Sequence, residues 1–139
     1  MCPDNAVQVG FWHVGRAGAF RKPSGIIYPK QYADNSDMSA ATPEQKKKMH
    51  LFNCAQRAHG NFLEQLPTFL PALLIAGLRY PVAASVMGAG WIAARIAYAI
   101  GYTQENKENG KGRLIGAPFW LFQLGLYGMV AWTGVKMLV

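Results

Sequence analysis

From Leu66 to Tyr102 the chain carries only two charged residues, Arg79 and Arg95, while charges crowd into residues 1–64 and 104–113. Residues 66–78, 82–102 and 114–135 are each predominantly apolar. About 20 such residues span the hydrocarbon core of a bilayer, and a helix can continue beyond it into water. The pattern predicts an all-α membrane helical bundle with three spanning helices, over about Pro43–Leu78, Pro81–Tyr102 and Ile115–Leu138. Thr42-Pro43-Glu44-Gln45 is a helix start, with Thr42 as cap, Pro43 at the first helical position and an acid in the first turn. Pro67 and Pro71 fall inside that helix, which a membrane bundle tolerates when neighbouring groups satisfy the freed carbonyls. Gly88 and Gly90 allow close helix approach in the second helix. Residues 23–48 read as an irregular polar loop, and Thr103 to Gly112 as a polar, glycine-bearing one. Residues 1–25 read as neither signal peptide nor spanning helix, because Pro3, Asp4, Asn5 and His13 interrupt their apolar pieces.

The first long helix brings polar groups to the edge of its apolar stretch. Arg57, Asn61 and Glu64 stand at i, i+4 and i+7 and share one face, with His50, Cys54 and Thr68 near the same stripe. On the second helix Arg95, Tyr98 and Tyr102 stand at i, i+3 and i+7, again on one face. Ionisable groups beside or within a membrane are expensive and face a bundle interior or a wet cavity. Together they offer guanidiniums for carboxylates, an amide for peptide groups, a carboxylate for an ammonium, and phenol donors. The same groups would serve equally as interhelical salt bridges, with Tyr98 and Tyr102 in an aromatic belt. Arg113 opens the last helix beside Lys111, either to hold an anion or as an interface anchor. His59 points away from the Arg57 stripe and reads as a contact residue, not a base. Cys54 reads as a small buried residue, since no base stands beside it in sequence.

Net charge sharpens the topology. The chain is +7, with 7 of its 14 Lys and Arg in residues 16–48 and three more at 107–113. No basic run is interleaved with stacking aromatics, so nucleic acid is not a predicted partner. Lys- and Arg-rich loops stay on the cytoplasmic side, which puts the basic N-terminal part and the 103–113 loop there. The Arg79-Tyr80-Pro81 turn and the C-terminus then face the opposite side. Cys2 and Cys54 form no disulfide framework. His13, His50 and His59 are scattered, and no metal site is assigned.

At this point two motifs resemble a known family. Phe52-Asn-Cys-Ala-Gln-Arg-Ala-His-Gly-Asn-Phe-Leu-Glu64, followed by Pro67 and Phe69, resembles the signature of the MAPEG superfamily of membrane proteins in eicosanoid and glutathione metabolism. Tyr28-Pro29 with Tyr32, the Phe-Asn-Cys-x-Gln-Arg-Ala-His string and Trp91-Ile-x-x-Arg95-x-x-Tyr98-Ala-x-Gly-Tyr102 are most similar to the microsomal glutathione S-transferase type-three group. The resemblance covers roughly residues 25–139.

It implies a four-helix membrane bundle assembled as a homotrimer, with glutathione as cosubstrate bound between subunits near the cytoplasmic side. Arg57, Asn61 and Glu64 would contact glutathione from one subunit, and Arg95, Tyr98 and Tyr102 from its neighbour. Arg113, with Lys111 as the alternative, would stabilise the glutathione thiolate as the catalytic residue. Gln65 stands where a family tyrosine often follows the motif glutamate. The implied activity is a glutathione transferase or peroxidase acting on a lipophilic electrophile or a lipid hydroperoxide. The implied site is a multi-pass membrane protein among membrane lipids, in the endoplasmic reticulum or the outer mitochondrial membrane. The family's first helix should precede Ile27, and residues 1–25 resemble at most its basic end, with Arg16 or Arg21 as further ligands. The chain therefore divides into an atypical segment, 1–26, and a MAPEG-like domain, 27–139, with three spanning helices in place of four. A catalytically inactive lipid-binding or scaffold member, or a truncated variant, is the alternative.

Overall fold

A computed structural model describes residues 4–138, so Cys2 lies outside the described residues. The regular elements of the described residues are all helical, in the order α1 (Asp4–Ser24), α2 (Asn35–Ser39), α3 (Pro43–Arg79), α4 (Pro81–Tyr102), a 3-10 segment (Glu108–Gly116) and α5 (Phe119–Leu138). The four long helices run alternately up and down. On α4, Trp91 stacks on Phe69 of α3 with ring centroids 3.8 Å apart, while Tyr98 meets Phe119 of α5 edge-on at 5.9 Å. Burial of these rings, together with Phe62 and Leu126, forms the main core; each fully buried aromatic or leucine contributes about 1.5–3 kcal/mol.

Two of the helices, α3 and α4, are each long and apolar enough to cross a membrane. The stretch Gly110–Gly116 with Phe119–Leu138, bent by 41°, makes a third if taken as one span. The bundle is thus an all-α membrane fold, as the apolar pattern predicts. The α3 start also follows expectation: Thr42 accepts from the Gln45 amide at 3.3 Å, and Pro43 occupies the first turn. Lys48 pairs with Glu44 one turn on, at 2.7 Å.

Residues 4–24 are more helical than their apolar pattern suggests, although this helix is not among those long and apolar enough to cross a membrane. Asp4–Ser24 forms a continuous helix packed antiparallel along α3, and its buried Ala6 and Val9 belong to the main core. Ala6, Val9, His13 and Ala17 are buried at i, i+3, i+7 and i+11, one stripe of a helix. Two polar residues of this helix, His13 and Arg16, are absorbed by tertiary contacts. His13 stacks on Phe62 at 4.7 Å, and the Arg16 guanidinium donates to the Thr103 hydroxyl. Ala6 and Val9 of this helix share the main core with α3, α4 and α5. Arg16 and Arg21 are correspondingly engaged within the fold. Arg21 donates to the carbonyls of Ile26 and Lys30 at 3.3 and 2.8 Å and lies over the rings of Tyr28 and Phe52.

The loop after α1 is more ordered than its composition suggests. Asp34 caps α2 in a reciprocal capping box with Asp37. The Lys30 ammonium, bonded to both Asp34 and Asp37, holds the Asp34 carboxyl well below the usual carboxylate range. The Asn53 side chain then ties the loop to α3, accepting from the Ala33 amide and donating to its carbonyl, each at 2.8 Å.

The last helix starts later than expected, at Phe119 in place of about Ile115. The preceding residues form the 3-10 segment, laid against α4 by two glycine contacts. A Cβ on Gly101 would overlap the carbonyl oxygen of Gly112, and one on Gly116 would overlap the backbone of Ala94 and Tyr98. Glycine is needed at this approach.

Candidate functional site

The polar stripe of α3 faces the polar stripe of α4 within one chain. Arg95 Nη1 donates to Asn61 Oδ1 at 2.9 Å. Asn61 in turn donates to Glu64 at 3.4 Å, and the Arg57 guanidinium stands 3.9 Å from the other Glu64 oxygen. Arg57 and Glu64 are more than half exposed, whereas Arg95 is wholly buried. Aromatic rings surround the Arg95 guanidinium, with Phe119 at 4.4 Å, Tyr98 at 5.0 Å, Trp91 at 5.6 Å and Phe62 at 5.8 Å. Its Nε and Nη2 are buried without a hydrogen-bond partner. A buried cation left with open donors is costly unless an anion or acceptor completes it.

Two hollows lie along this seam. The first, about 220 Å³, is lined by Asn61, Tyr98 and Arg113, closed by Leu114, Phe119 and Trp120. The second, about 370 Å³, lies nearer the basic end of the bundle, lined by Tyr32, His50, Asn53, Cys54, Arg57 and Tyr102. Each hollow takes one residue from the α3 stripe and one from the α4 stripe. Arg113 comes to the seam because the glycines of the 3-10 segment let that backbone lie on α4; its guanidinium is 5.1 Å from the Tyr102 ring centre. Lys111 is exposed. Tyr98 and Tyr102 meet edge to face at 5.5 Å. Tyr98 lines the smaller hollow and Tyr102 the larger.

The other sequence candidates resolve differently. His59 faces α1, 6.0 Å from His13, as a contact inside the chain. Cys54 does have a base within reach: His50, one turn earlier, places Nε2 3.5 Å from Sγ. The i, i+4 spacing carried that signal, although the residues adjacent in sequence contain no base.

Beneath the seam lies a polar network that the sequence reading did not anticipate. The buried Gln123 side chain accepts from the Trp91 indole at 3.0 Å. Its amide nitrogen has the oxygens of Gln65, Thr68 and Tyr127 at 3.1, 3.2 and 2.5 Å. Gln65, the departure from the family's tyrosine, is thus an acceptor joining α3 to α5. A single glutamine within the apolar run 114–135 was the available signal.

Comparison with known proteins bears on this arrangement. The chain matches the MAPEG family over residues 6–132, both long motifs and α1 included. The chain belongs to the MAPEG family. The match begins at residue 6, within the N-terminal segment. An uncharacterized protein of Synechocystis sp. is 42% identical to this MAPEG chain over 67 residues, 48% of this chain and 49% of that protein. The aligned part is about half of each.

Proposed function

We propose that this MAPEG chain is a membrane-bound glutathione transferase with hydroperoxide-reducing activity, related to the microsomal type-three group and working as a homotrimer. The observation that carries the reading is Arg95, a wholly buried guanidinium with two open nitrogens at a seam whose other residues suit a small charged peptide. Arg57 and Arg95 suit carboxylates, Glu64 an ammonium, and Asn61 a peptide group. A neighbouring subunit would close the open side of the two hollows.

The chemistry needs only a held and ionised thiol. A free thiol has a pKa near 8.5, so about a few per cent is thiolate at neutral pH. A guanidinium facing it in a partly dehydrated hollow favours the anion, a role for Arg113. The thiolate sulfur forms a bond to an electrophilic carbon as the leaving group departs. With a hydroperoxide it attacks the terminal oxygen, releasing an alcohol, and a second glutathione then gives the disulfide and water. The electrophile would arrive from the bilayer, and the basic loops support a site on the cytoplasmic face, that of the endoplasmic reticulum in a cell that has one.

Purified protein in lipid nanodiscs with saturating glutathione should show thiolate absorbance, with conjugation of an aryl halide or reduction of a lipid hydroperoxide. Absence of all three sinks the proposal. A second reading, a non-catalytic lipid-binding or scaffold member, is favoured by the internal Arg95–Asn61 and Arg57–Glu64 contacts. It requires Arg113→Ala to leave the cellular effect of the protein unchanged.

A further inference from the structure

The larger hollow on the α3–α4 seam contains a nucleophile that thiolate activation by Arg113 does not use. Cys54 is a free thiol on α3 that lines this hollow of about 370 Å³. Its Sγ lies 3.5 Å from Nε2 of His50, which is exposed and lines the same hollow. A thiol and an imidazole within hydrogen-bond reach form a nucleophile–base pair, because the ring can take the proton that the attacking sulfur must lose. The 3-10 segment packs close to the sulfur at Gly110. Gly110 adopts φ 65° and lies against the Tyr102 ring, and a Cβ there would stand 3.6 Å from the Cys54 sulfur. Arg57 and the Tyr102 side chain complete the wall, giving a cation and an aromatic hydroxyl beside the thiol.

We propose that Cys54 is a redox-sensitive thiol that exchanges with glutathione disulfide, leaving a glutathionyl group bonded to Cys54 in the hollow. The inference rests on the glutathione site of the preceding section. His50 accepts the Cys54 proton, and the thiolate attacks one sulfur of the disulfide. One S–S bond forms between Cys54 and a glutathionyl half, the original S–S bond breaks, and the other half leaves as glutathione thiolate, which takes the proton. No electrons are left over. Arg57 suits the carboxylates of the incoming anion. Since hydroperoxide reduction produces glutathione disulfide, accumulation of that product would fill the site covalently and stop the turnover. Free thiol reverses the bond by the same exchange.

The test uses full-length protein in nanodiscs on a Cys2→Ser background, treated with glutathione disulfide and analysed by intact mass and peptide mapping. A single glutathionyl adduct at Cys54 is expected, removed by dithiothreitol and accompanied by loss of glutathione binding in equilibrium dialysis. His50→Gln, at an exposed position, should slow adduct formation roughly tenfold or more at neutral pH. Arg57→Ala should slow reaction with glutathione disulfide several-fold while leaving reaction with neutral 2-hydroxyethyl disulfide unchanged. Protein that binds glutathione in dialysis yet forms no adduct overturns the inference and leaves the transferase reading standing. If a small methanethiosulfonate labels Cys54 but neither adduct nor glutathione binding is seen, both fail.

Discussion

The Arg95 guanidinium donates to the Asn61 carbonyl oxygen across the α3–α4 seam at 2.9 Å. That bond joins the two polar stripes inside one chain. It also leaves two nitrogens of a fully buried cation without acceptors in the aromatic box of Phe62, Trp91, Tyr98 and Phe119. Its desolvation is offset by one neutral hydrogen bond and the faces of these rings, and an apolar side chain would fill the same box with no desolvation cost.

Arg95 and Asn61 substitutions therefore separate stability from binding. Arg95→Leu keeps the box filled, so its thermal midpoint in nanodiscs should be unchanged or raised, while glutathione affinity falls tenfold or more, about 1.4 kcal/mol or greater. Asn61→Leu leaves the Arg95 donor unmet and should cost about 1–3 kcal/mol of stability. Calorimetry and thermal unfolding on both variants check this; loss of the folded bundle in Arg95→Leu would assign the cation to structure.

Arg113 should govern the ionisation of bound glutathione. Without the guanidinium the thiol pKa rises toward its free value of about 8.5. The thiolate is present above that pKa and absent below it, so Arg113→Ala moves the activity profile to higher pH. At neutral pH turnover should fall about 10- to 100-fold, with partial recovery near pH 9. Lys111→Ala, at an exposed position, should stay within about twofold of the parent. Stopped-flow thiolate absorbance against pH distinguishes the two residues.

Gln123 joins α3, α4 and α5 through one polar network. Gln123→Leu strands the Trp91 indole N–H inside the core and removes the donor shared by Gln65, Thr68 and Tyr127. A buried donor left unmet costs about 1–3 kcal/mol, so Gln123→Leu should lower the thermal midpoint more than Tyr127→Phe, which removes one of three acceptors. Equal effects would mean the network does not act through Trp91.

These sites show which physical signals a sequence carries. α3 and α4 were legible because Thr42-Pro43 and Pro81 punctuate long apolar runs, and because Arg57/Asn61/Glu64 and Arg95/Tyr98/Tyr102 repeat at helical spacing. The length of α1 was not, because His13 looks like an interruption until the Phe62 ring is seen to receive it. The 3-10 segment was hidden for the opposite reason. Its glycines signal a loop locally, and they become packing residues only once α4 supplies Gly101, Ala94 and Tyr98 as the opposing surface. The turn at Tyr80 also folds the α3 and α4 stripes onto each other within one chain, a proximity that helical spacing alone does not carry.

Gly116 tests whether the 3-10 segment positions Arg113. A Cβ there would overlap the α4 backbone at Ala94 and Tyr98, which cannot rotate away as a side chain would. Gly116→Ala should push the segment off α4 and carry Arg113 from the hollow it shares with Asn61 and Tyr98. Overpacking of this kind costs about 1–3 kcal/mol, so the bundle should persist while turnover falls tenfold or more and the thiolate signal fades. Gly128→Ala is the control, since nothing lies within 4 Å of a Cβ at that position on α5. It should be neutral or stabilise by up to about 1 kcal/mol through helix propensity. The decisive measurement is the thiolate absorbance of folded Gly116→Ala protein with saturating glutathione. A full signal there would show that Arg113 holds its place without this contact.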